Sequence, residues 1–220
     1  MKKIVFIGAG SIIFVKNLIG DCMLTPSLCD SEFALLDINR EKLYLAEGML
    51  KNLNRNVNGG RATVKAYESQ REALAGADFV INAIQVGGYD PCIINDFEIP
   101  LKYGLRQTYA DTLGIGGIMR GLRTIPVMKG ITDDMEELCP NAWLLNYTNP
   151  MAIVTGAVLK SSSIKTIGLC HSVQSCTKNL MDVVGMDCTG VEYKIAGINH
   201  QAWLLEVTKD GRDLYPEIKA

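Results

Sequence analysis

Short apolar runs alternate with helical patterns along this chain, and that alternation constrains the fold more than any other feature. Lys3 to Ile7 form a run of strand length, which Gly8-Ala9-Gly10-Ser11 separates from a helical pattern over Ile12 to Leu24. Further strands are predicted at Phe33 to Leu36, Ala62 to Tyr67, Phe79 to Ile84, Trp143 to Leu145 and Thr166 to Leu169. Strands that alternate with helices predict an α/β fold, a doubly wound parallel sheet with ligands at the carboxyl ends of its strands.

The later part of the chain reads differently. A glycine-rich stretch, DTLGIGG at 111–117, precedes a long helix predicted from Arg120 to Leu138, and two extended stretches follow at Val191 to Ile198 and Ala202 to Val207. We therefore expect a nucleotide-binding domain over residues 1–150 and the start of an α+β catalytic region over 151–220. The abrupt end after a strand-like stretch suggests a truncated chain.

Charge and cysteine content exclude several classes of partner. The formal charge is −2, from 22 basic and 24 acidic residues spread along the chain, so no basic field is available for nucleic acid or an anionic membrane. We expect a small-molecule partner. Neither a membrane-length apolar run nor a signal peptide is evident, and the seven cysteines are irregularly spaced, which favours free thiols in a cytoplasmic protein.

The first glycine turn has the form of a dinucleotide site. Gly8 and Gly10 lie between a strand and a helix, where glycine lets the backbone approach a pyrophosphate, although Ile13 replaces the usual third glycine. Asp37 ends the second strand, where an acid accepts hydrogen bonds from the adenosine ribose and favours NAD over NADP. A structural turn and a helix cap are the respective alternatives. The predicted Rossmann-like NAD site comprises Gly8, Gly10, Ser11, Asp37 and Gly87, the last of which is equally consistent with a simple turn.

Thiol, imidazole and amide side chains follow later strands at the point where each strand ends. They are Asn146, Asn149, Cys170, His171, Asn199 and His200. Each alone is consistent with a structural role, but their clustering at strand ends favours a site. Cys170 and His171 form an unfavourable nucleophile and base pair, because adjacent strand residues point to opposite faces. Cys170 and His200 can instead share a divalent metal, with positions left open for substrate.

Five motifs together resemble glycoside hydrolase family 4, the NAD- and manganese-dependent glycosidases. In chain order they are FIGAGS, DTLGIGG followed by RTIP, NYTNPM, GLCHS and GINH. The resemblance extends from Met1 to Ala220 and is strongest to bacterial α-galactosidases of melibiose metabolism. Members of the family are much longer, so we expect this chain to end within the catalytic region.

The resemblance implies a mechanism unlike that of glycosidases with two catalytic carboxylates. NAD takes a hydride from carbon 3 of the sugar, which makes the proton on carbon 2 acidic. A base removes that proton, the glycosidic oxygen leaves by elimination, water adds at carbon 1, and the hydride returns. In the family Mn²⁺ stabilises the enolate.

The resemblance also gives roles to individual residues. Cys170 and His200 match the metal ligands, and Asn149 matches an asparagine that binds sugar hydroxyls. Asp111 matches an acid that raises the basicity of a neighbouring tyrosine base, which in the family lies beyond the end of this chain. His171 takes the position of a proton-donating aspartate of phosphosugar-cleaving members, and an imidazole can donate there near neutral pH.

The resemblance and the charge pattern together predict the substrate. From Val86 to Leu101 the chain has no Lys or Arg, so a sugar 6-phosphate would meet no charged fork there. We predict an α-galactosidase that acts on melibiose-like sugars and, as is usual in the family, forms a homo-oligomer. An α-glucosidase or α-galacturonidase is the alternative within the family. An NAD-dependent 2-hydroxy-acid dehydrogenase and a non-catalytic NAD sensor are the alternatives outside it.

Overall fold

A computed structural model describes residues 1–220 and divides them into two compact units, Met1–Gly168 and Leu169–Ala220. The strands of the first unit are β1 Lys3–Ile7, β2 Glu32–Leu36, β3 Thr63–Tyr67, β4 Phe79–Asn82, β5 Trp143–Asn146 and β6 Lys165–Gly168. Its helices are α1 Ile12–Leu24, α2 Arg40–Asn58, α3 Gln70–Leu74, α4 Ile94–Lys102, α5 Gly114–Leu138 and α6 Met151–Ser161, with a π-helical turn at Gly88–Ile93.

The first unit is a doubly wound parallel sheet, as the sequence predicts. Its strand order is β3-β2-β1-β4-β5-β6, and every neighbouring pair is parallel. From β1, the next two strands β2 and β3 lie toward one edge of the sheet. Strands β4, β5 and β6 then lie on the other side of β1, toward the opposite edge. The strand order therefore reverses between β1 and β4, which is where open α/β sheets bind their ligands.

Strand residues alternate between two hydrophobic cores, one on each face of the sheet. In β1, Val5 and Ile7 pack on one face against the core that contains α5 and α6, whereas Ile4 and Phe6 pack on the other against α1 and α2. Because both faces are covered, the central strands β1, β2 and β4 are almost continuously apolar, whereas the outer strands β3 and β6 include exposed polar residues. The loops described below follow the carboxyl ends of these strands.

The boundary between the units follows β6. The sequence suggested residue 150, but β6 pairs with β5 through Trp143↔Lys165, and Val154 and Val158 of α6 lie in the sheet's core. These contacts keep residues 151–168 with the first unit.

Helix α5 begins at Gly114, earlier than the predicted start at Arg120, and it ends at Leu138 as predicted. The glycines serve close packing within the helix. A Cβ on Gly116 would overlap the backbone oxygens of Ala110 and Asp96, and one on Gly117 would overlap the backbone of Thr112. Glycine there lets the preceding loop pass against the helix.

The second unit contains a three-stranded antiparallel sheet in the order β7-β8-β9. Its elements are α7 Ser172–Val183, β7 Val191–Ile198, β8 Gln201–Lys209, β9 Arg212–Asp213 and α8 Tyr215–Ile218. A small core of Met181, Val207 and Leu214 holds it together. The sequence predicts β7 and β8 but not α7, whose buried face is narrow.

None of the helices combines the length and the apolar content that a membrane-spanning helix needs.

Candidate functional site

The glycine turn after β1 packs directly on the end of β4. Gly8 has a φ of +94°, and a Cβ on it would lie 2.7 Å from the carbonyl oxygen of Ala83. Only glycine fits both the conformation and the space. Ser11 is the N-cap of α1, and its exposed side chain makes no capping hydrogen bond to the first turn of this helix.

Asp37 links the end of β2 to that turn. Its Oδ2 accepts a hydrogen bond from the Gly10 N–H at 2.6 Å, and its Oδ1 accepts one from the Asn39 N–H at 2.8 Å. The N-cap of α2 is Asn39, whose side chain accepts from the Lys42 N–H, so the alternative of Asp37 as a helix cap is excluded. Each carboxylate oxygen retains further acceptor capacity for a ligand hydroxyl.

An arginine of α5 contacts the segment after β4, and the sequence did not predict this contact. Residues Val86 to Leu101 contain no Lys or Arg, but Arg123 of α5 donates from Nε to the Val86 carbonyl at 3.3 Å. Two further Arg123 nitrogens bind both oxygens of Asp96, which is fully buried. This pairing raises the pKa of Arg123. Gly87, with a φ of +85°, lies beside Cys92 in the same segment.

Asn149 lies half-buried in the turn between β5 and α6, in a cis peptide bond to Pro150. The residues before it are hydrogen-bonded to β4. Asn146 and Asn82 are the last residues of neighbouring strands, both fully buried, and the Asn82 amide donates to the Asn146 Oδ1 at 2.9 Å. Asn146 therefore lies buried at the start of the turn, and Asn149 is one of the turn's own residues.

Asp111 is paired with a residue that sequence reasoning missed. In the turn before α5, its carboxylate accepts a hydrogen bond from the guanidinium of Arg120, whose side chain is only 7% exposed. Burial lowers the pKa of Arg120, but Asp111 opposes that shift by its charge. The arginine nine positions along the chain was visible in the sequence, although nothing there indicated the pairing.

Cys170 and His200 lie together in the second unit. The Cys170 Sγ is 3.6 Å from the His200 Nε2, and it also lies 3.2 Å from the Ser172 Oγ and accepts from the Ser172 N–H at 3.4 Å. His200 sits in the turn between β7 and β8 with a φ of +62°. No group of three or more His, Cys, Asp or Glu side chains is arranged to hold a metal, so the pair offers two ligands.

His171 follows Cys170 but does not share a strand with it, because β6 already ends at Gly168. The expectation that strand geometry separates the two side chains is therefore wrong in its premise. His171 is instead the N-cap of α7, with an exposed side chain and its carbonyl accepting from the Ser175 N–H and hydroxyl. Its imidazole is therefore exposed at the start of a helix.

The chain matches the family 4 glycosyl hydrolases over residues 3–186, and the C-terminal domain of the same family over residues 195–220. The chain belongs to glycosyl hydrolase family 4. The resemblance stated from the five motifs is thus confirmed.

Relatives within family 4 match nearly all of the chain. An α-galactosidase of Bacillus subtilis is 62% identical over 100% of the chain and 50% of its own length. An α-galactosidase of Rhizobium meliloti is 39% identical over 96% of the chain and 43% of its own length. Among solved structures, the 6-phospho-β-glucosidase of Thermotoga maritima with manganese, NAD⁺ and glucose-6-phosphate superposes with a TM-score of 0.85 at 27% identity. That match covers 99% of this chain and 52% of the other. The chain therefore spans about half the length of these family 4 relatives.

Proposed function

We propose that the protein is an α-galactosidase that cleaves melibiose-like sugars with NAD and Mn²⁺. The observation that carries the proposal is the 62% identity to the Bacillus subtilis α-galactosidase over the whole chain. Family membership favours glycoside cleavage over the 2-hydroxy-acid dehydrogenase alternative, and the identity favours α-galactoside over α-glucoside or α-galacturonide. When bound, NAD would accept and return a hydride at sugar carbon 3, and Mn²⁺ would act as a Lewis acid.

The residues of the first unit fit NAD. Gly8 and Gly10 let the turn pack closely against Ala83 and Asp37, and the N-terminus of α1, which has no side-chain cap hydrogen bond, suits a pyrophosphate. Asp37 is fixed by two backbone N–H groups in an orientation suited to ribose hydroxyls. A 2′-phosphate would meet its negative charge, which supports NAD over NADP.

The pair in the second unit fits a divalent metal. The Cys170 Sγ and the His200 Nε2 lie 3.6 Å apart, so both side chains could bind one divalent ion. Mn²⁺ usually prefers oxygen ligands, so sugar hydroxyls and water are suited to the remaining positions.

The remaining predicted residues would bind the sugar and move protons. The Asn149 amide can donate to one sugar hydroxyl and accept from another. The exposed ring of His171 would hold a proton for the departing glycosidic oxygen. Asp111 would act together with Arg120, which neutralises part of its charge, so we propose orientation rather than charge alone as its contribution.

The pairing of Arg123 with Asp96 supports an unphosphorylated substrate. This arginine reaches the segment where phosphosugar enzymes are expected to bind a phosphate, but both oxygens of the buried Asp96 already occupy its guanidinium. A phosphate would have to displace a carboxylate that has no exposure to water. Neutral sugars need no such displacement.

We also propose a cytoplasmic location and a homo-oligomeric state. Seven cysteines without a disulfide, one of them the proposed metal ligand, support a reducing compartment. Light scattering at several protein concentrations tests the oligomeric state, and a monomer at every concentration would contradict it.

A single set of assays tests the proposed activity. The full-length protein is incubated with nitrophenyl α-galactoside, α-glucoside and 6-phospho-α-galactoside, with and without NAD, Mn²⁺ and a thiol reductant. We expect release of nitrophenol from the unphosphorylated α-galactoside only when NAD, Mn²⁺ and reductant are present, and no net formation of NADH. Hydrolysis that persists after removal of NAD or metal contradicts the mechanism, and net NADH from a 2-hydroxy acid would favour the dehydrogenase.

A further inference from the structure

Two buried amides occupy positions where this sheet otherwise places apolar side chains. Asn82 and Asn146 are the last residues of β4 and β5, they stand directly opposite each other in the parallel register, and both are 0% exposed. Burying an amide costs free energy unless it is hydrogen-bonded, so an apolar pair would suit the core better. The amides therefore call for an explanation beyond core packing.

Their hydrogen bonds converge on Thr148. The Asn82 Nδ2 donates to the Thr148 Oγ1 at 2.9 Å as well as to the Asn146 Oδ1 at 2.9 Å. The Asn146 Oδ1 also accepts from the Thr148 N–H at 3.1 Å, and the Asn146 Nδ2 donates to the Thr148 carbonyl at 3.3 Å. Thr148 is thus held at its backbone nitrogen, its backbone oxygen and its side chain. We call Asn82, Asn146 and Thr148 the amide clamp.

The amide clamp connects two loops that the fold would otherwise leave independent. On one side, Thr148 immediately precedes Asn149. On the other, the Thr148 hydroxyl donates to the Ile84 carbonyl at 3.0 Å, in the segment that follows β4. The neighbouring Ala83 carbonyl is the group against which Gly8 packs. A chain of direct contacts therefore runs from the glycine turn, through Ala83 and Ile84 after β4, to Thr148 and the adjacent Asn149.

We infer that the amide clamp positions Asn149 relative to the glycine turn, so that Asn82, Asn146 and Thr148 are positioning residues for the reaction. The inference rests on the proposed function, in which the glycine turn binds NAD and Asn149 binds the sugar. Hydride transfer requires those two ligands to meet in one geometry, and a displacement of about 1 Å costs on the order of a hundredfold in rate. A link made of buried hydrogen bonds supplies that precision.

Thr148→Val in the full-length protein tests the inference. Valine keeps the shape of threonine but removes the hydroxyl that joins Asn82 to the Ile84 carbonyl. Thr148→Ser restores the hydroxyl without the methyl group. Thr132→Val is the matched control, because Thr132 is 1% exposed and its hydroxyl bonds to the Lys129 carbonyl within α5, outside the clamp.

We expect Thr148→Val to lower kcat/KM for the α-galactoside by on the order of a hundredfold and to speed amide hydrogen exchange at Tyr147, Thr148 and Asn149. Thr148→Ser should keep most of the activity and the protection, and Thr132→Val should keep both. An unchanged kcat/KM in Thr148→Val, or a loss of activity without faster exchange, overturns the inference. If the wild type cleaves no glycoside, the proposed function fails, and the exchange rates alone then decide whether the clamp holds the turn.

Discussion

Replacing Gly8 by alanine should separate two physical demands that the structure places on the glycine turn. The first is conformational, because Gly8 has a φ of +94°. The second is spatial, because a Cβ there would lie 2.7 Å from the Ala83 oxygen and 2.8 Å from its carbonyl carbon. Ala83 cannot retreat freely, since its N–H donates to the Ile7 carbonyl at 2.9 Å in the pairing of β1 with β4.

The two demands have separate magnitudes. A left-handed backbone costs an L-residue about 1–2 kcal/mol relative to glycine. Overpacking against a backbone that must shift adds about 1–3 kcal/mol. Gly8→Ala should therefore lower the free energy of unfolding by about 2–5 kcal/mol, and a unit of this size should lose roughly 5–15 °C in Tm.

Two further variants measure the conformational cost and the cost of the close contact separately. Gly59→Ala has a φ of +62° with no atom within 4 Å of the new Cβ, so it carries the conformational cost alone. Gly10→Ala has ordinary φ but places a Cβ 2.7 Å from the Asp37 Oδ2, so it carries a close contact with a side chain rather than with the backbone. Urea unfolding of the three variants gives the free energies, and titration with NAD gives the affinities.

We expect Gly8→Ala to be the least stable of the three, and both Gly8→Ala and Gly10→Ala to bind NAD more weakly than Gly59→Ala. If Gly8→Ala is no less stable than Gly59→Ala, the close approach of the turn to β4 does not constrain the protein as described. Equal NAD affinity in all three variants would refute the placement of the dinucleotide.

Three further results are expected. Cys170→Ser should lose Mn²⁺ affinity and metal-dependent hydrolysis while it keeps NAD affinity, and full activity would reduce Cys170 to a packing role. The Lys3 N–H and a neighbouring lysine hold the pKa of Asp78 below its ordinary value of 3.8. Asp78 therefore stabilises the fold above that ordinary pKa, and the stabilisation is lost as pH falls through the lowered one. Asp78→Asn should thus reduce the urea midpoint at about pH 7 but not in strong acid, and an equal reduction in both would contradict the assignment. Burial raises the pKa of the Cys139 thiol, so iodoacetamide should label the exposed Cys176 first, and prior labelling of Cys139 would contradict the core packing.

The strands and the glycine turn were predictable because their signals are local. An apolar run of four or five residues next to a helical pattern identifies β1 or β4 without knowledge of the rest of the chain. The order of the elements then leaves few topologies, and the doubly wound sheet is the commonest of them. Residue types at strand ends were predictable for the same reason.

Pairings across the fold were not predictable from the sequence. Arg120 with Asp111 and Arg123 with Asp96 depend on how α5 lies against the preceding loop, which no periodicity encodes. The start of α5 was missed because glycine usually signals a loop, whereas Gly116 serves close packing. Cys170 and His200 are 30 residues apart, and their residue types at predicted strand ends, followed by the resemblance, suggested the pair, whereas their spacing did not. Their role as metal ligands stays a prediction.

The turn that carries His200 has a consequence for engineering. Its φ of +62° is a conformation that glycine adopts without strain and histidine adopts at a cost of about 1 kcal/mol. A His200→Gly variant would relieve that strain, but it would also lose the imidazole beside Cys170 and would give the unfolded chain more freedom. Heat resistance alone therefore does not report on this histidine, and a thermostability screen of this protein needs catalysis as a second criterion at every round.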